Sequence, residues 1–301
     1  MSNKQVSLEE RLVRLAATDI SELPDFPDDK SDLPDDFEYD PEEYEDQEEE
    51  IVEELSENEL LRFLDQQENP LTAVQRLFYN ELNSTASQSQ SEAWNLTCLT
   101  PKALEELYGT GWTEVEGLID LDTLKGASQE AQQLEHWIPS TRDSGSIRRD
   151  DKIVWFNTEN EPNEKEGIVK APPHLKSIVD YVHTQLYKDL AKMIKLNGQN
   201  EYQLSHFAPG GCYGRHRDAF PTDDPDQRRV TVLIYLSSGW SPKDGGELKV
   251  CSPVDQSGLP KGADRVLSPT LGRIFIALSG AVDYEILASQ KDRYSFNAWF
   301  R

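Results

Sequence analysis

The chain has 301 residues, with 56 acidic against 30 basic side chains and a formal net charge of −26. A pI near 4.5 repels a phosphate backbone over most of the surface, which excludes nucleic-acid binders that depend on phosphate contacts. No run approaches the ~18 apolar residues that cross a bilayer, and the opening MSNKQVSLEERL lacks the apolar core and cleavage site of a secretory signal. Cys98, Cys212 and Cys251 are odd in number and widely spaced, so they predict neither a disulfide framework nor a zinc knuckle. The expectation is a soluble, unprocessed protein of the cytosol or nucleus, bound neither to nucleic acid nor to membrane.

The acidity is local. Between Ile20 and Glu59 there are 20 acidic residues and one basic residue, Lys30, a net of −19 that leaves only −7 for the rest of the chain. Pro24, Pro27, Pro34 and Pro41 punctuate this stretch, and such a composition repels itself and buries too little to offset chain entropy. Residues 1–50 are therefore expected to form a largely disordered acidic arm. It serves either as an interaction arm for a basic partner or as a solvated tail that keeps the protein soluble.

From Ile51 a helical period begins, with Ile51, Leu55, Leu60, Leu61 and Leu64 followed by Leu71, Val74, Leu77 and Phe78. Thr100-Pro101 ahead of Ala103, Leu104 and Leu107 predicts a short helix with Thr100 as its cap. Residues 51–135 are thus expected to be a helical support region. The strongest helical pattern runs from Pro173 to Ile194, where Leu175, Ile178, Val179, Val182, Leu186, Leu190 and Met193 recur at three- and four-residue steps.

The period then changes. Lys152–Phe156, Tyr202–Phe207, Val230–Leu236, Glu247–Val250, Arg273–Ala277 and Tyr294–Phe300 are short β-branched or aromatic runs set between Gly, Pro, Asp and Ser clusters. Helices followed by many short strands predict an α+β fold with a double-sheet jelly roll over residues 136–301, whose mouth can hold a ligand.

The densest polar motif is Tyr213-Gly-Arg215-His216-Arg217-Asp218. In extended chain, residues two apart share a face, so His216 and Asp218 project together as an imidazole and a carboxylate suited to a divalent iron. The alternative is a surface salt bridge at a strand end. In the following strand Tyr235 lies on the face of Thr231 and Leu233, opposite Val230, Val232, Ile234 and Leu236. In the last strand Arg293, Ser295 and Asn297 share one face. Turned inward, that face is a socket in which Arg293 meets a carboxylate bidentately with Ser295 or Tyr235 beside it; turned outward, it is merely solvated.

Several spaced motifs then combine. Tyr213-x-Arg215-His216-x-Asp218 is followed by TVLIYL with Tyr235, then Trp240, Gly245-Gly246-Glu247-Leu248 and Leu271-Gly-Arg-Ile-Phe, and finally Arg293-Tyr-Ser with Trp299-Phe300. Together these resemble the iron(II)/2-oxoglutarate-dependent prolyl hydroxylases, closest to the oxygen-sensing, hypoxia-inducible-factor type. The stretch from Ile147 to Trp155 is similar to that group's strand entry after a mobile loop. The resemblance covers about Ser140 to Arg301. It implies a double-stranded β-helix that hydroxylates a prolyl residue of a protein or peptide, using dioxygen and converting 2-oxoglutarate to succinate. It implies Fe(2+) on His216 and Asp218, the 2-oxoglutarate carboxylate on Arg293 and Tyr235 with Ser295 adjacent, and Tyr213 and Arg215 at the mouth where a peptide lies.

One position departs from the pattern. The family's distal histidine falls nine residues before the arginine, and here that residue is Tyr284; no histidine follows His216. Three roles are open to Tyr284: a phenolate ligand to iron, a side chain that leaves iron to His216, Asp218 and chelating 2-oxoglutarate, or the mark of an inactive ligand- or protein-binding module. Elsewhere, His206 is expected to be a satisfied structural histidine and Cys212 a buried inert thiol. The sequons at Asn83 and Asn95 carry no meaning without a signal peptide.

Overall fold

The computed structural model describes residues 57–79, 95–140, 147–253 and 261–301, so the acidic arm expected over residues 1–50 lies outside the described residues. The chain divides into two units, Met1–Glu54 and Leu55–Arg301, and every element below belongs to the second.

Helices α1 (Glu57–Gln67) and α2 (Pro70–Phe78) meet at Asn69, whose side chain accepts from the Leu71 and Thr72 amides at 3.0 and 3.3 Å and caps α2 ahead of Pro70. Helix α3 (Pro101–Thr110) starts at the expected cap, with Thr100 accepting from Ala103, and stops at Gly111, whose φ of +83° a side chain would resist. One element in this region, a strand, differs from a purely helical support, and one further helix is not anticipated individually. Strand β1 (Trp112–Val115) pairs antiparallel with a strand near the C-terminus, and helix α4 (Leu121–Gln133) is capped by Asp120. Four residues are too few for an alternating pattern to register, and α4 carries only a thin apolar stripe of Leu124, Ala127 and Ala131.

The long rod expected from Pro173 is α5 (Pro173–Tyr181), one π turn (Val182–Leu186) and α6 (Tyr187–Ala191), with helical dihedrals at each junction. The apolar steps lengthen to four residues at Val182, Leu186 and Leu190. The wider turn rephases them, and all six of Leu175, Ile178, Val179, Val182, Leu186 and Leu190 are fully buried.

The remaining strands are β2 (Ile138–Pro139), β3 (Asp151–Phe156), β4 (Asn200–Phe207), β5 (Tyr213–His216), β6 (Val230–Tyr235), β7 (Leu248–Val250), β8 (Arg265–Leu267), β9 (Ile274–Leu278), β10 (Tyr284–Ile286) and β11 (Arg293–Phe300). They build a seven-stranded sheet of order β1-β9-β6-β11-β4-β3-β2 and a four-stranded sheet of order β5-β10-β7-β8, with every pairing antiparallel. From β4 onward the chain passes back and forth between the two sheets, which is the winding of a double-stranded β-helix. The fold is α+β with that β-helix as its core.

Parity decides what each sheet face buries. Val230, Val232, Ile234, Ile274, Ile276, Leu204, Phe296, Ala298 and Phe300 join the helices in one large apolar cluster. Leu233, Tyr235, Phe275 and Ala277 point the other way, toward Leu248, Val250 and Tyr284 of the small sheet. The helices thus back the large sheet, and the space between the sheets holds this smaller apolar cluster together with the inward polar side chains.

A buried carboxylate ties the helical layer together. Asp189, with no exposed surface, accepts from the amides of Thr97, Cys98 and Leu99 and from Thr97 Oγ1, all at 2.8–3.0 Å, and pairs with Lys192 at 3.0 Å. Burial by itself opposes ionisation, but the three amides and Lys192 outweigh it and hold the carboxyl well below the usual range. A depressed carboxylate stabilises the fold above the unfolded pKa, near ~3.9, and loses that contribution as the pH falls toward the folded value. Asp189→Ala strands the buried Leu99 amide, at about 1–3 kcal/mol, together with the part-buried amides of Thr97 and Cys98 and the charge of Lys192. Urea denaturation at pH 7 is expected to record a loss of at least about 3 kcal/mol, and the gap between parent and variant is expected to narrow in acid.

Candidate functional site

Strand β5 delivers His216 to the inner face of the small sheet, where it is 3% exposed. Its Nδ1 lies 2.8 Å from the Gly214 carbonyl, which can only accept, so in the neutral ring Nδ1 carries the proton and Nε2 offers its lone pair inward. Tyr213 stacks on the imidazole with ring centroids 3.5 Å apart. Two residues on, the Asp218 side chain is 6% exposed and its Oδ1 faces His216 Nε2 at 3.7 Å. The pair projects into the interior, and the alternative of a solvated surface salt bridge does not hold.

The other oxygen of Asp218 is surrounded by donors. Oδ2 accepts from Thr231 Oγ1 at 2.7 Å, from the Tyr284 hydroxyl at 2.7 Å and from Trp299 Nε1 at 3.1 Å. Burial works against the charge of Asp218, yet His216, Arg228 and these hydrogen bonds hold its pKa below the usual value. Tyr284 reaches it because β10 pairs with β5 in a register that sets Tyr284 opposite His216. Burial first, and then the Asp218 charge, push the Tyr284 phenol well above its ordinary pKa, so the side chain stands as a neutral donor to the carboxylate. Among the described residues no group of three His, Cys, Asp or Glu side chains lies close enough to hold a metal ion. The metal-type donors that converge are two, His216 Nε2 and Asp218 Oδ1.

Strand β11 supplies the other end of the interior. Arg293 is among the largest fully buried side chains of the described residues. Its Nε donates to the Gly246 carbonyl at 2.9 Å, its Nη1 reaches Ser295 Oγ at 3.5 Å, and its guanidinium lies 5.1 Å from the Tyr235 ring centroid and 5.4 Å from that of Phe207. Nη2 of Arg293 and the Tyr235 hydroxyl have no hydrogen-bond partner among the described residues. Burial lowers the Arg293 pKa; burial pushes Tyr235 up to about 12 against the pull of the neighbouring guanidinium. A buried cation whose donors are incompletely used is costly unless an anion meets it. Gly246 lets the arginine lie flat: its φ is +75° and a Cβ there would sit 3.1 Å from Arg293 Cδ.

Between these ends β11 and β4 line the space with polar groups. Asn297 Nδ2 donates to Ser205 Oγ at 2.8 Å, Ser205 donates to Gln203 Oε1 at 3.1 Å, and Arg149 Nη2 approaches the same Oε1 at 3.4 Å while its Nε pairs with Asp151 at 2.7 Å. A cavity of about 450 Å³ opens beside this ladder. Trp155, Trp299, Tyr213, Arg149, Gln203 and Asp218 form its inner wall.

The structure corrects two expectations. Arg215, placed by resemblance at the mouth, turns away from the cavity and pairs with Asp283 at 2.6 Å. Cys212 is half-buried rather than buried and sits 3.5 Å from Asp150, with burial and that carboxylate raising its pKa. His206 is a satisfied structural histidine, bonded to Asp292 at 2.7 Å and stacked on Tyr294.

Sequence reasoning also passed over working residues. Thr231 and Trp299 hold Asp218, and parity alone could have found Trp299, six residues after Arg293 and on the same face. Arg217, between His216 and Asp218, bonds Asp65 of α1 at 2.8 and 2.9 Å and Asp283 at 2.7 Å. No local pattern announces a partner 152 residues away.

Two solved structures share the fold. A Pseudomonas putida prolyl-4-hydroxylase is 22% identical with a TM-score of 0.52, and the match covers 66% of this chain and 97% of that one. A prolyl hydroxylase from Trichoplax adhaerens, in complex with a hypoxia inducible factor oxygen degradation domain peptide fragment, is 16% identical with a TM-score of 0.53, covering 71% of this chain and 90% of that one. Residues 202–301, which carry His216, Asp218, Tyr235, Tyr284 and Arg293, match the 2OG-Fe(II) oxygenase superfamily.

Proposed function

We propose that the protein is a 2-oxoglutarate- and iron(II)-dependent dioxygenase that hydroxylates a prolyl residue of a protein or peptide. The observation that carries the reading is Arg293: a fully buried guanidinium with an unused Nη2 beside an equally unused Tyr235 hydroxyl, in the same interior as the His216 and Asp218 pair. A planar fork of donors matches a carboxylate, and Ser295 adds a hydroxyl to the same socket. The residues therefore fit the distal carboxylate of 2-oxoglutarate. For the metal they offer a nitrogen and a carboxylate oxygen, a donor pair suited to ferrous iron and one side chain short of the usual facial triad.

An iron held there supplies oxygen activation coupled to decarboxylation of 2-oxoglutarate. The chain's own residues do the rest. Gly214 fixes the tautomer of His216, Thr231, Trp299 and Tyr284 orient Asp218, and Gly246 positions Arg293. The cavity beside Asp218, walled by Trp155, Trp299 and Tyr213, suits an extended peptide with a small apolar ring such as proline. The prolyl hydroxylase neighbours support that substrate class, one of them carrying a peptide.

A second reading, a binding module without turnover, draws on the Tyr284 hydroxyl being committed to Asp218. Succinate release separates the two. With iron(II), ascorbate and a library of proline-containing peptides, the chain is expected to form succinate from 2-oxoglutarate and add one oxygen atom to a peptide, read by mass spectrometry. Retention of 2-oxoglutarate without succinate in any mixture leaves the binding module.

A further inference from the structure

Strand parity sends Gln203 of β4 into the space between the sheets, where it is 2% exposed and lines the cavity beside Asp218. Three donors converge on its Oε1: Ser205 Oγ at 3.1 Å, Asn297 Nδ2 at 3.4 Å and Arg149 Nη2 at 3.4 Å. A guanidinium can only donate, so turning the Gln203 amide over would set N–H against N–H. The Nε2 end is thereby left toward the cavity, and it has no hydrogen-bond partner among the described residues. The ladder fixes the direction of this donor without satisfying it. A nearly buried amide with free N–H groups is costly unless an acceptor meets it.

The cavity wall around Gln203 does not supply that acceptor. Its other members are the rings of Trp155, Trp299 and Tyr213, the Arg149 guanidinium, and Asp218, whose oxygens are engaged with Thr231, Tyr284, Trp299 and His216. A peptide bond that precedes proline presents a carbonyl and no N–H, because the proline nitrogen is tertiary. One that precedes any other residue brings an N–H that needs an acceptor of its own. We infer that Gln203 binds the substrate directly, its Nε2 donating to the carbonyl of the peptide bond that precedes the target proline. This rests on the prolyl hydroxylase reading above. Arg149, Ser205 and Asn297 are positioning residues that act through Gln203 by fixing which way its amide faces.

The test uses the full chain with iron(II), ascorbate and 2-oxoglutarate. Its probes are the proline-containing library peptide on which succinate forms fastest, and the same peptide with that one carbonyl replaced by a thiocarbonyl, a weaker acceptor. In the parent the thioamide is expected to raise the peptide KM by about three- to tenfold, the loss of one hydrogen bond. Gln203→Met, similar in volume and without a donor, should raise KM for the ordinary peptide by a comparable factor, the loss falling on KM rather than kcat. The thioamide should then add nothing, since one hydrogen bond cannot be lost twice. Gln203→Glu keeps the oxygen that Arg149, Ser205 and Asn297 hold and turns a second acceptor toward the carbonyl. Its KM should rise further, and its preference for the ordinary peptide over the thioamide should vanish or reverse. Calorimetry should find the same affinity for 2-oxoglutarate in all three chains.

Equal sensitivity to the thioamide in the parent and in both variants overturns the assignment of Gln203 and leaves the proposed function standing. A thioamide without effect on the parent does the same, as does a variant whose KM for the ordinary peptide matches the parent's. A parent that hydroxylates no library peptide overturns the proposed function and this inference together.

Discussion

Arg293→Ala is expected to abolish measurable 2-oxoglutarate binding and to leave the protein folded. The guanidinium is buried without a carboxylate partner among the described residues, so its charge is balanced only partly, by the Gly246 carbonyl and the Ser295 hydroxyl. Truncating one member of a buried ionic contact costs about 2–5 kcal/mol of binding, which is at least roughly thirtyfold in Kd. Stability responds differently, because removing an incompletely paired buried charge relieves a desolvation cost that offsets the lost packing against Phe207 and Tyr235. Calorimetry in the presence of manganese measures the first effect and thermal unfolding the second. Arg293→Lys, which keeps the charge and loses the fork, should fall between parent and alanine. A variant that binds 2-oxoglutarate as the parent does would remove Arg293 from the socket and with it the observation on which the functional reading rests.

The sequence disclosed this socket through parity. Along the last strand Arg293, Ser295 and Asn297 alternate with Tyr294, Phe296 and Ala298, and the only open choice was which set faced in. Packing decides it: Phe296, Ala298 and Phe300 are claimed by the helical layer, so the polar set must turn to the other side. Strands with long alternation were legible for the same reason, their bounds shifting by only one or two residues. Strands β5, β8 and β10 were not, because three or four residues carry no period and such strands exist only by pairing with neighbours. The role of Tyr284 was equally hidden. Its position nine residues before Arg293 marked it as anomalous, yet its hydrogen bond to Asp218 depends on β5 and β10 being side by side, a contact between residues 66 apart.

Arg217 is the least legible of the site's supports, and its loss is expected to be the most damaging to the fold. It sits between His216 and Asp218 but points away from them, its side chain only 4% exposed, with Asp65 on one side and Asp283 on the other. Asp283 in turn holds Arg215 and immediately precedes Tyr284, so one ionic chain clamps α1, β5 and β10 at the place where His216, Asp218 and Tyr284 converge. Arg217→Met keeps most of the stem, strands Asp65 and leaves Asp283 to Arg215 alone; breaking a buried pair costs about 3–5 kcal/mol. The effect has a pH signature. Burial opposes ionisation of Asp283, but Arg217 and then Arg215 outweigh it and hold its pKa below the usual carboxylate value. A depressed carboxylate contributes stability above about pH 4 and loses it as the pH falls. Urea midpoints of parent and Arg217→Met should therefore differ most near pH 7 and converge toward pH 3; a constant gap would assign the loss to packing rather than charge. Function should divide along the same line. Manganese affinity, which depends on His216 and Asp218 holding their places, is expected to drop, while binding of glutarate at Arg293, on a different strand of the opposite sheet, should change little.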